Sequence, residues 1–283
     1  MSSDSQVANI SHRECQLFIR FTVNPKKTSS MAKSYLLLLL LIIFVSCTPQ
    51  KKETAQEEPK SKVQEVIDES IAYHQMGELG NAEFTLTFRD IDYTYKNEKG
   101  IYQYTRTQID STGATVIDRM DNQSLIRTSN GDKVEITEEK RAAYTRSVNS
   151  VIYFFRLPFG LNDPAVNKVY LGETEIKGKP YHEVKVTFEQ EGGGEDFDDV
   201  FLYWFDKEDY SMDYLAYLYH TDGGGMRFRE AINPRRVNNM LIQDYINLKP
   251  EDEGIDIMTI DELYNQDELI ELSRIINEKV TIK

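Results

Sequence analysis

The residues that could do chemistry are few and scattered. Beyond residue 47 the chain has three histidines, His74, His182 and His220, and no two stand at i, i+2 or i, i+4. That spacing holds no zinc motif. His220-Thr221-Asp222 ends a strand-like run beside Gly223–Gly225 and could contribute to a site, although a histidine at a strand end beside a turn is the ordinary reading. A second glycine triplet, Gly192–Gly194, precedes Glu195, Asp196, Asp198 and Asp199. Backbone N–H groups of such triplets can cradle an anion, but neither opens a helix or carries the Lys-Ser/Thr of a phosphate loop, and hairpin turns explain them. The acidic cluster offers calcium its preferred oxygens without the spacing of a helix–loop–helix site, and reads as a solvated loop. No nucleophile elbow, His-Glu-x-x-His, dinucleotide fingerprint or kinase signature occurs. No catalytic residue, metal or cofactor is expected on these grounds.

Aromatic residues are the stronger signal. Tyr93/Tyr95, Tyr102/Tyr104 and Tyr217/Tyr219 repeat with period two, which puts each pair on one face of a strand. Sheet surfaces favour tyrosine, so the pairs fit a plain sheet. They also fit the wall of a groove for an amphipathic or acyl ligand.

Composition narrows the classes. The 283 residues carry a formal charge of −14, which excludes nucleic acid as a partner, since phosphates require a basic footprint. With 40% apolar and 11% aromatic residues the chain is too hydrophobic to be a disordered acidic polymer. Two cysteines, Cys15 and Cys47, cannot form a disulfide scaffold. Residues 1–46 hold five basic and two acidic residues. That leaves 28 basic and 45 acidic in residues 47–283, a charge of −17.

Tyr35–Val45 is an unbroken apolar run containing six successive leucines. As a helix it reaches roughly 16 Å, about half the hydrocarbon thickness, which suits the core of a secretory signal peptide. Lys26, Lys27 and Lys33 precede it; Phe44-Val45-Ser46-Cys47 follows. This resembles the lipobox of bacterial lipoproteins, which implies cleavage before Cys47 and diacylglycerol on its sulfur. The expected organisation is a signal peptide over 1–46, a lipidated Cys47 with a charged tether to 62, and a single domain over 63–283. Residues 1–30 lack a coherent pattern, and Met31 would be a normal start for the signal peptide.

Val63, Val66, Ile67 and Ile71 predict a helix over 62–76. Strand chemistry follows over Ala82–Tyr95, Ile101–Ile109, Ala114–Met120, Ser124–Arg127 and Lys133–Ile136, with turn residues between. Thr137-Glu138-Glu139 starts a second helix with Tyr144, Val148, Val151, Ile152 and Phe155 on one face, stopped by Pro158. Six further strands run from Val169 to Leu248. His182–Glu189 has one wet face, whereas Val200–Phe205 and Met212–His220 are apolar on both faces and must be covered on both. Thr259-Ile260-Asp261-Glu262 fits a capping box, and Leu269, Leu272, Ile275 and Ile276 predict a helix through Ile276.

Without a βαβ rhythm, these elements predict an α+β fold: a curved antiparallel sheet with helices on its concave face. The order also resembles the carrier and receptor proteins of bacterial lipoprotein sorting, through the lipobox, the first helix, the mid-chain helix ending at Leu157-Pro158, and the paired segments DDVFLYWFDKED and SMDYLAYLYH. That resemblance implies an incomplete β-barrel whose mouth is plugged by helices. Segments such as YFFRLPFGLNDPAV resemble an uncharacterised family of Gram-negative lipoproteins with no assigned activity. Asp110-Ser111-Thr112 resembles a short O-glycosylation acceptor of some envelope proteins.

The resulting expectation is an envelope protein, lipid-anchored through Cys47 in the outer membrane facing the periplasm. It would bind a hydrophobic or amphipathic ligand without catalysis, with Phe154, Phe155, Trp204 and Tyr217 as lining. A docking module for another protein, using the acidic surface, is the alternative. An enzyme would need a cavity holding His220 and two carboxylates within hydrogen-bond reach.

Overall fold

Tight turns dictate the pairing of the strands. In a computed structural model that describes residues 60–77, 79–98, 101–190, 197–252 and 254–283, four hairpins close on two residues that both have positive φ. These are Arg89-Asp90, Asn130-Gly131, Lys177-Gly178 and Asn238-Asn239. Positive φ at both positions matches the right-handed twist of the flanking strands and forces antiparallel neighbours. The expectations for residues 1–46, Cys47, the tether up to Pro59, Gly192–Gly194, Glu195 and Asp196 lie outside the described residues.

The first helix, α1 (Lys62–Tyr73), starts at Ser61, whose hydroxyl accepts from the Gln64 N–H, and buries Val66, Ile67 and Ser70. Six strands follow: β1 (Phe84–Phe88), β2 (Ile91–Glu98), β3 (Ile101–Ile109), β4 (Thr115–Asp121), β5 (Leu125–Ser129) and β6 (Asp132–Lys133). The single stretch expected over Ala82–Tyr95 is therefore a hairpin. The change of parity between Phe88 and Ile91 marks the turn. After the second helix, α2 (Glu138–Phe155), come β7 (Val166–Ile176), β8 (Lys179–Phe188), β9 (Val200–Asp206), β10 (Met212–Tyr219), β11 (Gly225–Val237) and β12 (Met240–Lys249). The chain ends with α3 (Ile260–Asn265), β13 (Ile270–Ile275) and β14 (Glu278–Ile282).

Two seven-stranded antiparallel sheets result, ordered β14-β1-β2-β3-β4-β5-β6 and β13-β12-β11-β10-β9-β8-β7. Consecutive strands β13 and β14 belong to different sheets, so the chain steps from one to the other at Ile276-Asn277. The opposite edges, β6 and β7, stay unpaired with each other, and α2 lies between them in the chain. This is an incomplete barrel, as the resemblance implies.

The predicted C-terminal helix through Ile276 is corrected. Helix α3 stops at Asn265, the Thr259 side chain makes no cap, and Asp267 takes φ 60°. A longer helix would leave the edges of β12 and β1 unpaired. Pairing β13 and β14 onto them satisfies backbone N–H and C=O groups on both sides.

Three buried clusters hold the fold. One packs α2 through Val148, Ile152 and Phe155 against Phe84, Leu86, Tyr95 and Tyr104 of the first sheet. A second sets Val66 and Ile67 of α1 with Leu157 and Leu161 against Val184, Phe201, Tyr203, Phe205 and Leu215. The third covers the other face of the second sheet, with Ile257, Ile260 and Tyr264 over Leu202, Trp204, Ala216 and Phe228. The doubly apolar strands β9 and β10 are thus covered twice: α1 and α2 lie on the inner face and α3 on the outer one.

Candidate functional site

Helix α2 builds the site. Thr137 caps it by accepting from the Lys140 N–H at 3.3 Å, and Glu138 and Glu139 occupy the first turn, where the helix dipole favours negative charge. Its buried stripe faces the first sheet, where the rings of Phe155 and Phe84 are 4.7 Å apart. The next side chains round face the second sheet. Tyr153 lies 5.8 Å from Phe201 and Phe154 lies 5.1 Å from Tyr217, ring to ring. The Tyr153 and Tyr203 hydroxyls hydrogen-bond at 2.8 Å.

A helix wedged between two sheets cannot fill the whole space between them. A cavity of about 920 Å³ remains on one side of α2. Tyr95, Tyr102 and Tyr104 of the first sheet and Phe188, Phe201, Tyr217 and Tyr219 of the second form its walls. The helix contributes Arg146, Asn149, Tyr153 and Arg156. A second cavity of about 90 Å³ lies against Phe155, Arg229, Leu241, Tyr245, Ile275 and Asn277, and Ser150 and Phe154 line both.

The polar groups of the larger cavity are mostly neutral donors. Burial raises the Tyr153 phenol, and that of its hydrogen-bond partner Tyr203, which lines neither cavity, above the ordinary range and pushes Tyr104 up to about 12, against the opposing pull of Arg156. Arg156 lies 4.9 Å from the Tyr95 ring and 5.1 Å from the Phe159 ring, and its Nη1 donates to the Tyr104 hydroxyl at 3.5 Å. The surface is therefore aromatic with hydroxyl and guanidinium points and two carboxylates, Asp163 and Asp199, suited to an amphipathic molecule.

Of the residues expected in the lining, Phe154 borders both cavities, Tyr217 the larger, and Phe155 the smaller. Trp204 borders neither. It is fully buried on the outer face, 5.5 Å from the Phe228 ring under α3. Trp204 follows Tyr203 on β9, and successive strand residues point to opposite faces. Of the paired tyrosines, Tyr95, Tyr102, Tyr104, Tyr217 and Tyr219 line the larger cavity, while Tyr93 is in the first sheet's core. Sequence reasoning missed Tyr153, Phe201, Arg156 and Arg229. Phe201 shares parity with Tyr203 and could have been found; nothing local marks the two arginines.

The histidines sit apart. His74 Nε2 accepts from the Met212 N–H at 3.1 Å, and burial, aided by the charge of Arg236, pulls the ring down to about 4. His182 Nδ1 is 3.0 Å from the Tyr170 hydroxyl. His220 Nδ1 lies 3.5 Å from Asp199 and 3.7 Å from Asp198, both beyond good hydrogen-bond length. Their ligand atoms all lie within 4.8 Å of one another, and Asp199 reaches the rim of the larger cavity. Asp110 accepts from the Thr112 N–H and hydroxyl at 2.8 and 2.6 Å, so that threonine closes an exposed turn.

Fold and site together define an incomplete antiparallel barrel with helices in its mouth and an aromatic cavity beside them. The chain belongs to DUF6503, a family of unknown function, which matches residues 33–277. Among solved structures it is similar to a LolA superfamily protein from Nitrosomonas europaea, with a TM-score of 0.44, 7% identity, and coverage of 78% of this chain and 94% of that one. It is also similar to a DUF1329 family protein from Desulfovibrio piger, with a TM-score of 0.48, 9% identity, and coverage of 78% and 93%. The lipoprotein LppX from Mycobacterium tuberculosis shows a fainter similarity, with a TM-score of 0.25, 10% identity, and coverage of 54% and 87%. No curated protein matches the sequence.

Proposed function

We propose that this is a lipid-anchored protein of the cell envelope that binds a hydrophobic or amphipathic ligand between α2 and the two sheets. The observation that carries the reading is the cavity of about 920 Å³ walled by aromatic rings from both sheets. Protein interiors are close-packed, and a fold with this many large apolar residues has the means to fill such a space. The volume lies toward the upper end of the roughly 300–1,000 Å³ that ligand sites occupy. Tyrosine hydroxyls and arginines among the rings favour a molecule with both an apolar and a polar part.

The anchor rests on the sequence. The apolar run Tyr35–Val45 and Cys47 support lipidation, and α1 begins at Lys62. The envelope location, with the outer membrane as the site of anchoring, follows from the same reading.

The test is a Cys47→Ser chain, exported and purified without detergent. Native mass spectrometry should detect a co-purifying apolar or amphipathic molecule. A fluorescent apolar probe should bind at one site per chain and be displaced by acyl compounds. Absence of both ligand and probe binding refutes the binding reading. Palmitate labelling that survives Cys47→Ser refutes the anchor alone.

A further inference from the structure

The inner face of the second sheet hides a cation with no counter-charge. Arg229 on β11 is 7% exposed. Its guanidinium carbon lies 3.7 Å from the centre of the Phe154 ring, and Nη2 donates to the Tyr217 hydroxyl at 2.9 Å. Its Nε is buried without a partner. Among the described residues no carboxylate pairs with it.

The neighbouring acids are committed elsewhere. Glu230 alternates to the outer face, beside Tyr264. Asp244 on β12 is held by Arg235 at 3.1 Å and by the Asn277 N–H at 2.9 Å. Burying a lone charge costs several kcal/mol unless an anion meets it. Among the described residues the other deeply buried arginine has such a partner: Arg106, 6% exposed, is locked to Asp118. Arg229 has none.

Arg229 faces the cavity of about 90 Å³, several times what one water needs. Burial keeps the Tyr245 phenol in that wall protonated and able to donate. Phe154 stands between this cavity and the larger one, so turning its ring aside would connect them.

We propose that Arg229 and the cavity it faces form a subsite for an oxyanion group, a carboxylate or phosphate, carried as the head of the ligand whose apolar part occupies the larger cavity. The inference deepens the proposed function and rests on it: the ligand is an anionic amphiphile.

The test titrates the detergent-free Cys47→Ser chain with laurate, dodecyl phosphate and dodecanol, three heads on one chain length, and with acetate and inorganic phosphate. The two anionic amphiphiles should bind about tenfold or more tighter than dodecanol, as a charge-assisted hydrogen bond in an apolar site provides. Arg229→Gln should bring the three toward parity, and acetate and inorganic phosphate should bind far more weakly. Equal binding of all three in the unsubstituted cavity overturns the subsite and leaves the apolar site standing. Failure of all three overturns the proposed function as well. Inorganic phosphate binding as tightly as dodecyl phosphate would make this a free-anion pocket and overturn the headgroup assignment. Should Arg229→Gln fail to fold, Arg229→Met, which replaces the buried charge by an apolar side chain of similar length, should bring the three toward parity, and an unchanged gap counts against the subsite.

Discussion

The hydroxyls of Tyr153 and Tyr203 lie 2.8 Å apart and tie α2 to the middle of the second sheet. Both rings belong to the cluster that closes the inner face of that sheet. Tyr203→Phe should cost about 1–3 kcal/mol, because it leaves the Tyr153 hydroxyl buried without its partner. The double change Tyr153→Phe with Tyr203→Phe should recover part of that loss. Urea denaturation of the singles and the double measures the coupling.

Filling the larger cavity should abolish binding at little cost to folding. Ala143 lines it from an exposed position on α2. Ala143→Trp should weaken an apolar probe tenfold or more, while stability moves by about 0.5 kcal/mol or less. Probe titration and thermal unfolding of the same preparation read the two effects.

Trp204 is the chain's single tryptophan and sits on the face away from both cavities. Its emission should be blue and poorly quenched by acrylamide. Saturating ligand should leave its maximum unmoved. A ligand-dependent shift would put the ligand near α3 instead.

His74 should produce a slope of stability with pH. Its folded value is pulled down to about 4 by burial, from an ordinary 6.5. Between those values the unfolded chain binds a proton that the folded chain refuses. Stability is therefore complete above about 6.5 and falls as pH drops toward 4, by roughly 3 kcal/mol at most. His74→Gln should flatten that interval in urea midpoints measured against pH.

Asp118 should act at lower pH. Burial alone would raise its carboxyl, but hydrogen bonds from Arg127 and Arg106 outweigh burial and hold it below its ordinary value. Its contribution is present above about pH 4 and is lost as pH falls through the depressed folded value. Removing the carboxylate with Asp118→Ala strands two arginines and should cost about 3–5 kcal/mol at neutral pH. Denaturation curves at pH 7 and pH 3 separate the two effects.

Much of the fold is legible locally. Alternation in His182–Phe188, the Thr137 cap with its acids, and Asn130-Gly131 each depend on a few neighbouring residues, and the elements stand where those residues put them. The C-terminal segment reads differently. Leu269, Leu272, Ile275 and Ile276 suit a helical stripe, yet Ile270–Ile275 pairs with β12 because an open sheet edge far back in the chain needs a partner. No local pattern carries that demand.

The site divides along the same line. By themselves, the doubly apolar strands Val200–Asp206 and Met212–Tyr219 determine that both faces of this sheet must be covered, and the period-two tyrosines determine that rings stand side by side. Only the tertiary structure decides which cover goes where. Strand alternation sends Tyr203 and Trp204 to opposite faces, but α2 arriving on one face and α3 on the other makes the first a partner of Tyr153 on the cavity side and the second core under α3. Arg229 is the sharper case. In Met226-Arg227-Phe228-Arg229-Glu230 it reads as an exposed strand residue, and it becomes a buried cation because α2 lays Phe154 over it.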